Sequence, residues 1–164
     1  MKNTLEYFRN KATGPEIHHH LLSCDVEFVR ELSERADIKG YSKKIYQNAE
    51  RFEVWVEGVL VGLVAIYCND DIHRLAYITS VSVLSCHQGE GIAANLICQC
   101  IEYVNRLGMH RISLEVEREN GPAIKLYEKY GFVATDTSDS YITMNLFLNA
   151  GGERCQMNVT ITQR

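Results

Sequence analysis

Between residues 50 and 84 apolar, β-rich runs are separated by short polar turns, which predicts a β-meander. Residues 52–56 are β-rich, Glu57-Gly58 is a turn signal, and residues 59–67 form a second apolar run. Asn69-Asp70-Asp71 breaks the pattern, and residues 75–84 resume it with Tyr77, Ile78, Val81 and Val83. The pattern then changes to that of a helix. Ile92, Leu96, Ile97, Cys100, Ile101 and Val104 fall on one face as far as about Leu107, and Gly108 supplies a stop. Ile112, Leu114 and Val116 alternate with Ser113, Glu115 and Glu117, the signature of a half-buried strand. Asn120-Gly121-Pro122 opens a short helix carrying Ala123, Ile124, Leu126 and Tyr127, which Gly131 ends. Residues 132–134 and 141–148 predict a closing strand pair around a polar turn at 136–139.

The N-terminal part is less regular. Residues 5–8 can start a strand, and Thr13 can cap a helix whose proline lies in the first turn. That helix is expected to run through His18, His19 and His20 to Leu22. Residues 24–37 are polar and mixed, with Phe28, Val29 and Leu32 as anchors, and residues 41–49 fit a second short helix. Residues 157–161 could add an edge strand. The order as a whole predicts one α/β domain over 1–148, with 149–164 as a C-terminal extension.

Composition narrows the function classes. The chain has 164 residues, 46% hydrophobic and 23% charged, and a formal net charge of −4. An acidic balance argues against a nucleic-acid partner held by phosphate neutralisation. No apolar run approaches the roughly 20 residues needed to span a bilayer, and the first residues lack the apolar stretch of a signal peptide. The six cysteines form no CxxC pair and read as reduced thiols of a cytoplasmic protein. No metal is expected: adjacent histidines on a helix diverge by about 100° and cannot share one ion, so His18, His19 and His20 read as a surface run.

The sharpest feature joins the strand at 75–84 to the helix that follows it. In Val83-Leu84-Ser85-Cys86-His87-Gln88-Gly89-Glu90-Gly91-Ile92-Ala93 the glycines let backbone approach an anion. The helix start offers unpaired N–H groups and the positive end of the dipole, which suits a pyrophosphate. A GxxxxGK[ST] motif is absent and GxGxxG is incomplete. An ordinary strand–helix turn is the plainer reading of this loop by itself.

Two further segments raise the loop above that reading. Gln88, Gly91 and Ala93 match the pattern [QR]xxGx[GA], and residues 120–132 resemble NxxAIxLYxKxGF almost completely. Leu114-Glu115-Val116 resembles a strand of the branch that includes the ribosomal-protein alanine acetyltransferases. Residues 75–148 thereby resemble the GNAT superfamily of acetyl-CoA-dependent N-acetyltransferases. The resemblance implies a GNAT fold, a mixed and mostly antiparallel sheet of six to seven strands with helices on both faces. It also implies acetyl-CoA in a splayed gap, the pantetheine arm beside Val81 and Val83, and the pyrophosphate on the backbone of Gln88, Gly89, Glu90, Gly91, Ile92, Ala93 and Ala94. Gln88 departs from the arginine of many members and brings no charge.

Within that resemblance Tyr127 matches the general acid near the sulfur, Asn120 matches the asparagine that contacts pantetheine, and Glu115 matches a general base twelve residues before Tyr127. Each has a plainer reading: an aromatic core residue, a helix N-cap and the polar face of a strand. The oxyanion donor is expected to be a backbone N–H near Val83. His87 and Cys86 flank the loop. The acceptor is expected to be a small-molecule amine, an amino sugar ahead of an amino acid or polyamine, attacking directly. It would be lined by segments 24–41 and 136–141. A protein N-terminal acetyltransferase and a non-catalytic CoA-binding sensor are the alternatives. No nucleic-acid or membrane partner is expected, and a homodimer is left open.

Overall fold

The computed structural model describes residues 3–28 and 37–148. The residues expected to act as anchors at 29–36 and as an added edge strand at 157–161 lie outside the described residues.

The described residues form a seven-stranded sheet in the order β1-β2-β3-β4-β5-β7-β6. β1 (Glu6–Arg9), β2 (Glu50–Val56), β3 (Val59–Asp70) and β4 (Leu75–Val83) form an antiparallel meander. β5 (Arg111–Glu117) lies parallel to β4, and β7 (Tyr141–Phe147) and β6 (Val133–Thr137) return antiparallel. β6 is longer than expected and takes in part of the stretch read as a turn. Both of its faces are exposed, so polar Thr135, Asp136 and Thr137 extend it without burying an unsatisfied group.

Helices cover both faces. α1 (Gly14–Phe28) and α2 (Ile38–Asn48) lie on one, where Ile17, Leu21, Ile38 and Ile45 pack against Trp55, Leu60, Leu63 and Ala65. α3 (Ile92–Arg106) and α4 (Gly121–Lys129) lie on the other, where Ile92, Leu96, Ile97, Cys100 and Val104 meet Val54, Val64, Ile66 and Ile112. Thr13 caps α1 as expected, in a reciprocal box: Thr13 N–H donates to the Glu16 carboxylate at 2.8 Å, and Glu16 N–H to the Thr13 hydroxyl at 3.4 Å.

Two buried polar groups tie the α1 layer to the sheet. Glu53, fully buried, accepts the Ala12 N–H on both oxygens at 3.0 Å, the Trp55 indole N–H at 2.9 Å and the Arg51 Nε–H at 3.4 Å. Arg51 donates onward to the carbonyls of Ala12, Tyr46 and Ala49. A buried ion pair is tolerable when its remaining donors and acceptors are filled in this way.

His20 is the second group, and it corrects the surface reading of the histidine run. Its side chain is buried, with Nδ1 2.9 Å from the Leu60 carbonyl oxygen and Nε2 2.9 Å from the Ser82 hydroxyl oxygen. Ile17, His20, Leu21 and Cys24 recur at i, i+3, i+4 and i+7, so His20 lies in the apolar stripe of α1 while His19 faces solvent.

Burial pushes the His20 pKa down to about 4, against backbone hydrogen bonding that opposes the shift. The unfolded chain therefore binds a proton here that the native state refuses, and the associated stability is lost as pH falls from about 6.5 toward 4. That loss amounts to about 3 kcal/mol. Urea unfolding of wild type and of His20→Gln at pH 7 and at pH 4.5 is expected to show a smaller acid loss in the variant. Equal acid losses would mean that His20 is protonated in the native state.

Candidate active site

β4 and β5 pair only at Leu75–Arg111, Ala76–Ile112 and Tyr77–Ser113. Past Tyr77 the two parallel strands separate, so residues 78–83 have β3 on one edge and no β5 pairing on the other among the described residues. A register shift between Ala65 and Ile66 of β3 marks a bulge in β4 at Thr79, and bulges re-aim a strand.

The register fixes which backbone groups face that gap. Leu84 N–H donates to the Val61 carbonyl at 2.9 Å, and Gly62 lies opposite Val83. Hydrogen-bonded and non-hydrogen-bonded pairs alternate in an antiparallel ladder. Ser82 therefore exchanges bonds with Leu63, while the N–H and C=O groups of Val81 and Val83 turn away from β3, toward the gap. Gln88 Nε2 approaches the Val83 carbonyl oxygen from there, at 3.5 Å.

A cavity of about 500 Å³ opens beside these groups. Of the residues singled out in the sequence, Val81, Val83, Gln88, Gly89, Gly91, Ile92, Ala93, Ala94, Asn120 and Tyr127 line it, together with His87, Pro122, Ala123 and Leu126. Glu90 does not; its carboxylate is exposed and lies 3.2 Å from His87 Nδ1.

A short 3₁₀ turn (Ser85–His87) leads into the loop, and α3 starts at Ile92 with Gly91 as its N-cap. Gly91 holds φ +75°, a left-handed conformation that side chains disfavour, and a Cβ there would meet open space. Gly62 of β3 has the opposite constraint. A Cβ on it would lie 2.6 Å from Ile92 Cγ2, so its bare backbone lets the start of α3 sit close to the sheet.

Asn120 caps α4, accepting the Ala123 N–H at 3.2 Å, and also lines the cavity. The plainer reading of Asn120 is thus observed, and it leaves a cavity role open. Tyr127 is buried, with its ring 5.8 Å from that of Phe132 and part of its side chain on the cavity wall. Burial pushes its hydroxyl up to about 12, so it keeps its proton at neutral pH.

Glu115 is not brought into the cavity. Ile112, Leu114 and Val116 join the α3-side core, so Ser113, Glu115 and Glu117 point to the α1–α2 face. Glu115 is exposed there, close enough to Tyr77 to add to the rise in the tyrosine pKa that burial begins. Tyr127 and Glu115 therefore stand on opposite faces of the sheet at the gap. Tyr41 and Tyr67 lie on the Glu115 face, as partly buried neighbours of the α1–α2 core. Tyr41 belongs to the segment 24–41 that the sequence assigns to the acceptor side, whereas Tyr67 and Ser82 carry no sequence motif and His20 reads there only as part of a surface run.

The acetyltransferase (GNAT) family model matches residues 15–132. The chain belongs to the GNAT acetyltransferase family. It is 36% identical over 112 residues to spermidine N(1)-acetyltransferase of Vibrio cholerae, covering 66% of this chain and 62% of that relative, so it spans under two thirds of that protein's length. It is 30% identical to N-alpha-acetyltransferase 30 of Schizosaccharomyces pombe over 128 residues, 72% of this chain and 81% of that one. In fold it is similar to a Salmonella typhimurium protein solved with its cofactor acetyl-CoA, at 17% identity and a TM-score of 0.71, covering 94% of this chain and 100% of that one. The seven-stranded mixed sheet is that of the GNAT fold. No helix among the described residues is long and apolar enough to cross a membrane.

The two glycines of this GNAT site separate two physical costs. Gly91→Ala is expected to lose about 1–2 kcal/mol through its backbone conformation alone. Gly62→Ala is expected to lose about 1–3 kcal/mol through overpacking against Ile92. Denaturant unfolding checks both. A double variant with Ile92→Leu, which removes Cγ2, should recover part of the Gly62→Ala loss and none of the Gly91→Ala loss.

Proposed function

We propose that this chain transfers an acetyl group from acetyl-CoA to a primary amine of a small cationic molecule by direct attack. The observation that carries the reading is the gap itself. A strand edge that β5 leaves open at Val81 and Val83 adjoins a glycine-opened helix N-terminus and a buried tyrosine in one cavity. The fold neighbour solved with acetyl-CoA supports the same cosubstrate.

On this reading the N–H groups of residues 89–94 and the dipole of α3 hold the pyrophosphate, and the edge of β4 at Val81, with the Val83 carbonyl, pairs with the pantetheine amides. Asn120 contacts the same arm. Val83 N–H stabilises the oxyanion as the amine nitrogen adds to the thioester carbon. The carbon–sulfur bond then breaks, and the Tyr127 hydroxyl gives its proton to the departing thiolate. The amine enters from the opposite face, past Tyr77 and Glu115, where Glu115 takes its proton through water.

The acceptor is the finer question. Aromatic rings at Tyr41 and Tyr77, the latter beside the Glu115 carboxylate, suit a cation, and the Vibrio cholerae relative is named for a polyamine. These favour a polyamine over the amino sugar that led the sequence reading. The Nα-acetyltransferase relative and the Leu114-Glu115-Val116 strand support a second reading, an N-terminal peptide amine.

Thiol release from acetyl-CoA with spermidine, glucosamine and a free-N-terminus peptide is expected to be fastest with spermidine. Faster release with the peptide would favour the second reading. Acetyl-CoA binding without release for any amine would make the chain a CoA-binding sensor.

Tyr127→Phe is expected to lower kcat by roughly 10²-fold while acetyl-CoA affinity stays within about threefold. Unchanged kcat would leave Tyr127 as a core residue.

Glu115→Gln is expected to flatten the acidic limb of the pH–rate profile, with Glu117→Gln, on the same strand face, as the control. Equal and small effects would remove Glu115 from the mechanism.

A further inference from the structure

β4 presents its reactive edge in an unusual mechanical state. From Ile78 onward, among the described residues, only β3 pairs with it laterally. A strand paired on one edge is freer to twist and fray than one paired on both. Two groups from the α1–α2 layer hold it from above. The Tyr41 hydroxyl donates to the carbonyl of Thr79, the bulge residue, at 2.6 Å and lies 2.8 Å from its side-chain oxygen. His20 engages the Ser82 hydroxyl. The two contacts bracket Val81, and Ser82 supplies the carbonyl half of the peptide group whose N–H belongs to Val83.

The hydrogen-bond pattern fixes the proton positions at His20. The Leu60 carbonyl can only accept, so Nδ1 carries the hydrogen. The ring is neutral at pH 7, so Nε2 accepts and the Ser82 O–H donates. The Cys24 sulfur, 3.6 Å from Nε2, lies at the same lone pair. Ser82 is thus held by its backbone to Leu63 and by its side chain to α1, sixty-two positions away in sequence.

We propose that His20 is a positioning residue for acyl transfer, which through the Ser82 hydroxyl sets the orientation of the Ser82–Val83 peptide group at the thioester gap. This rests on the acyl-transfer reading of that gap. The Leu60 bond serves the docking of α1, whereas the Ser82 bond serves the geometry of β4. Misplacement of a transition-state donor by a fraction of an ångström lowers turnover more than ground-state binding.

The two ring nitrogens allow the roles to be separated. His20→Asn keeps a donor near the Nδ1 position and loses the Ser82 contact. His20→Gln keeps an acceptor near the Nε2 position and loses the Leu60 contact. Ser82→Ala removes the latch from the other side and leaves the imidazole its neighbour Cys24. Each full-length variant would be measured with acetyl-CoA and the best amine for kcat and KM. Amide hydrogen exchange across residues 80–84 would be measured without substrate.

The expected result for Ser82→Ala and His20→Asn is a kcat lowered at least tenfold, with KM for the amine within threefold. Exchange at residues 80–84 is expected to be at least tenfold faster, with α3 unchanged. His20→Gln is expected to restore kcat to within threefold of wild type and to return exchange at 80–84 toward the wild-type rate. Wild-type kcat and exchange in Ser82→Ala would overturn the proposal. Equal losses in Gln and Asn variants, together with faster exchange throughout the α1 layer, would also overturn it and leave His20 a general packing residue. If wild type released no thiol with any amine, the acyl-transfer reading would fail first, and the exchange arm would still decide whether the latch holds β4.

Discussion

Everything at the candidate site follows from one interruption in the sheet: β4 and β5 are parallel neighbours for three residue pairs and then part. A sheet normally satisfies both edges of an interior strand, and an unpaired interior edge buried among side chains is costly. Here the open edge faces a cavity, so its peptide groups are available to something that can pair as a strand would. Tyr127 stands on the cavity side of the gap and Glu115 on the other face of the sheet.

An opening of this kind weakens the strand that borders it, and the rest of the fold compensates. β3 holds β4 along its whole length with a bulge at Thr79. The α1–α2 layer adds hydrogen bonds from Tyr41 and His20. That layer is in turn fixed by Glu53, whose carboxylate gathers donors from the β1–α1 connection and from two side chains of β2. Glu53, Arg51 and His20 are all buried, and all have partners. Removing one member of such a network strands the others in a low-dielectric interior, so its geometry is strongly preferred over looser alternatives.

Much of the fold was legible in the sequence because the relevant signals are local. The apolar runs between turn residues located the meander, the 3.6-residue period located α3, and Thr13 and Asn120 marked helix starts that the structure shows capped. The motif resemblance grouped residues most of which line one cavity. It also singled out Glu115, and a motif does not carry facing: strand alternation puts Glu115 on the far side of the sheet.

The sequence by itself determined the elements, their order and the chemistry on offer, since these depend on periodicity, turn residues and helix-end geometry within a few positions. It also contained, unread, the placement of His20: the stripe Ile17, His20, Leu21 and Cys24 is a local pattern. Only the tertiary structure decided where β4 and β5 part, because strand separation is a property of two segments more than thirty residues apart and of what packs on each. It alone decided the partners of His20 and Ser82. A hydrogen bond between side chains sixty-two positions apart leaves no periodicity, and a buried histidine has the same letter as an exposed one until the fold supplies its dielectric and its acceptors.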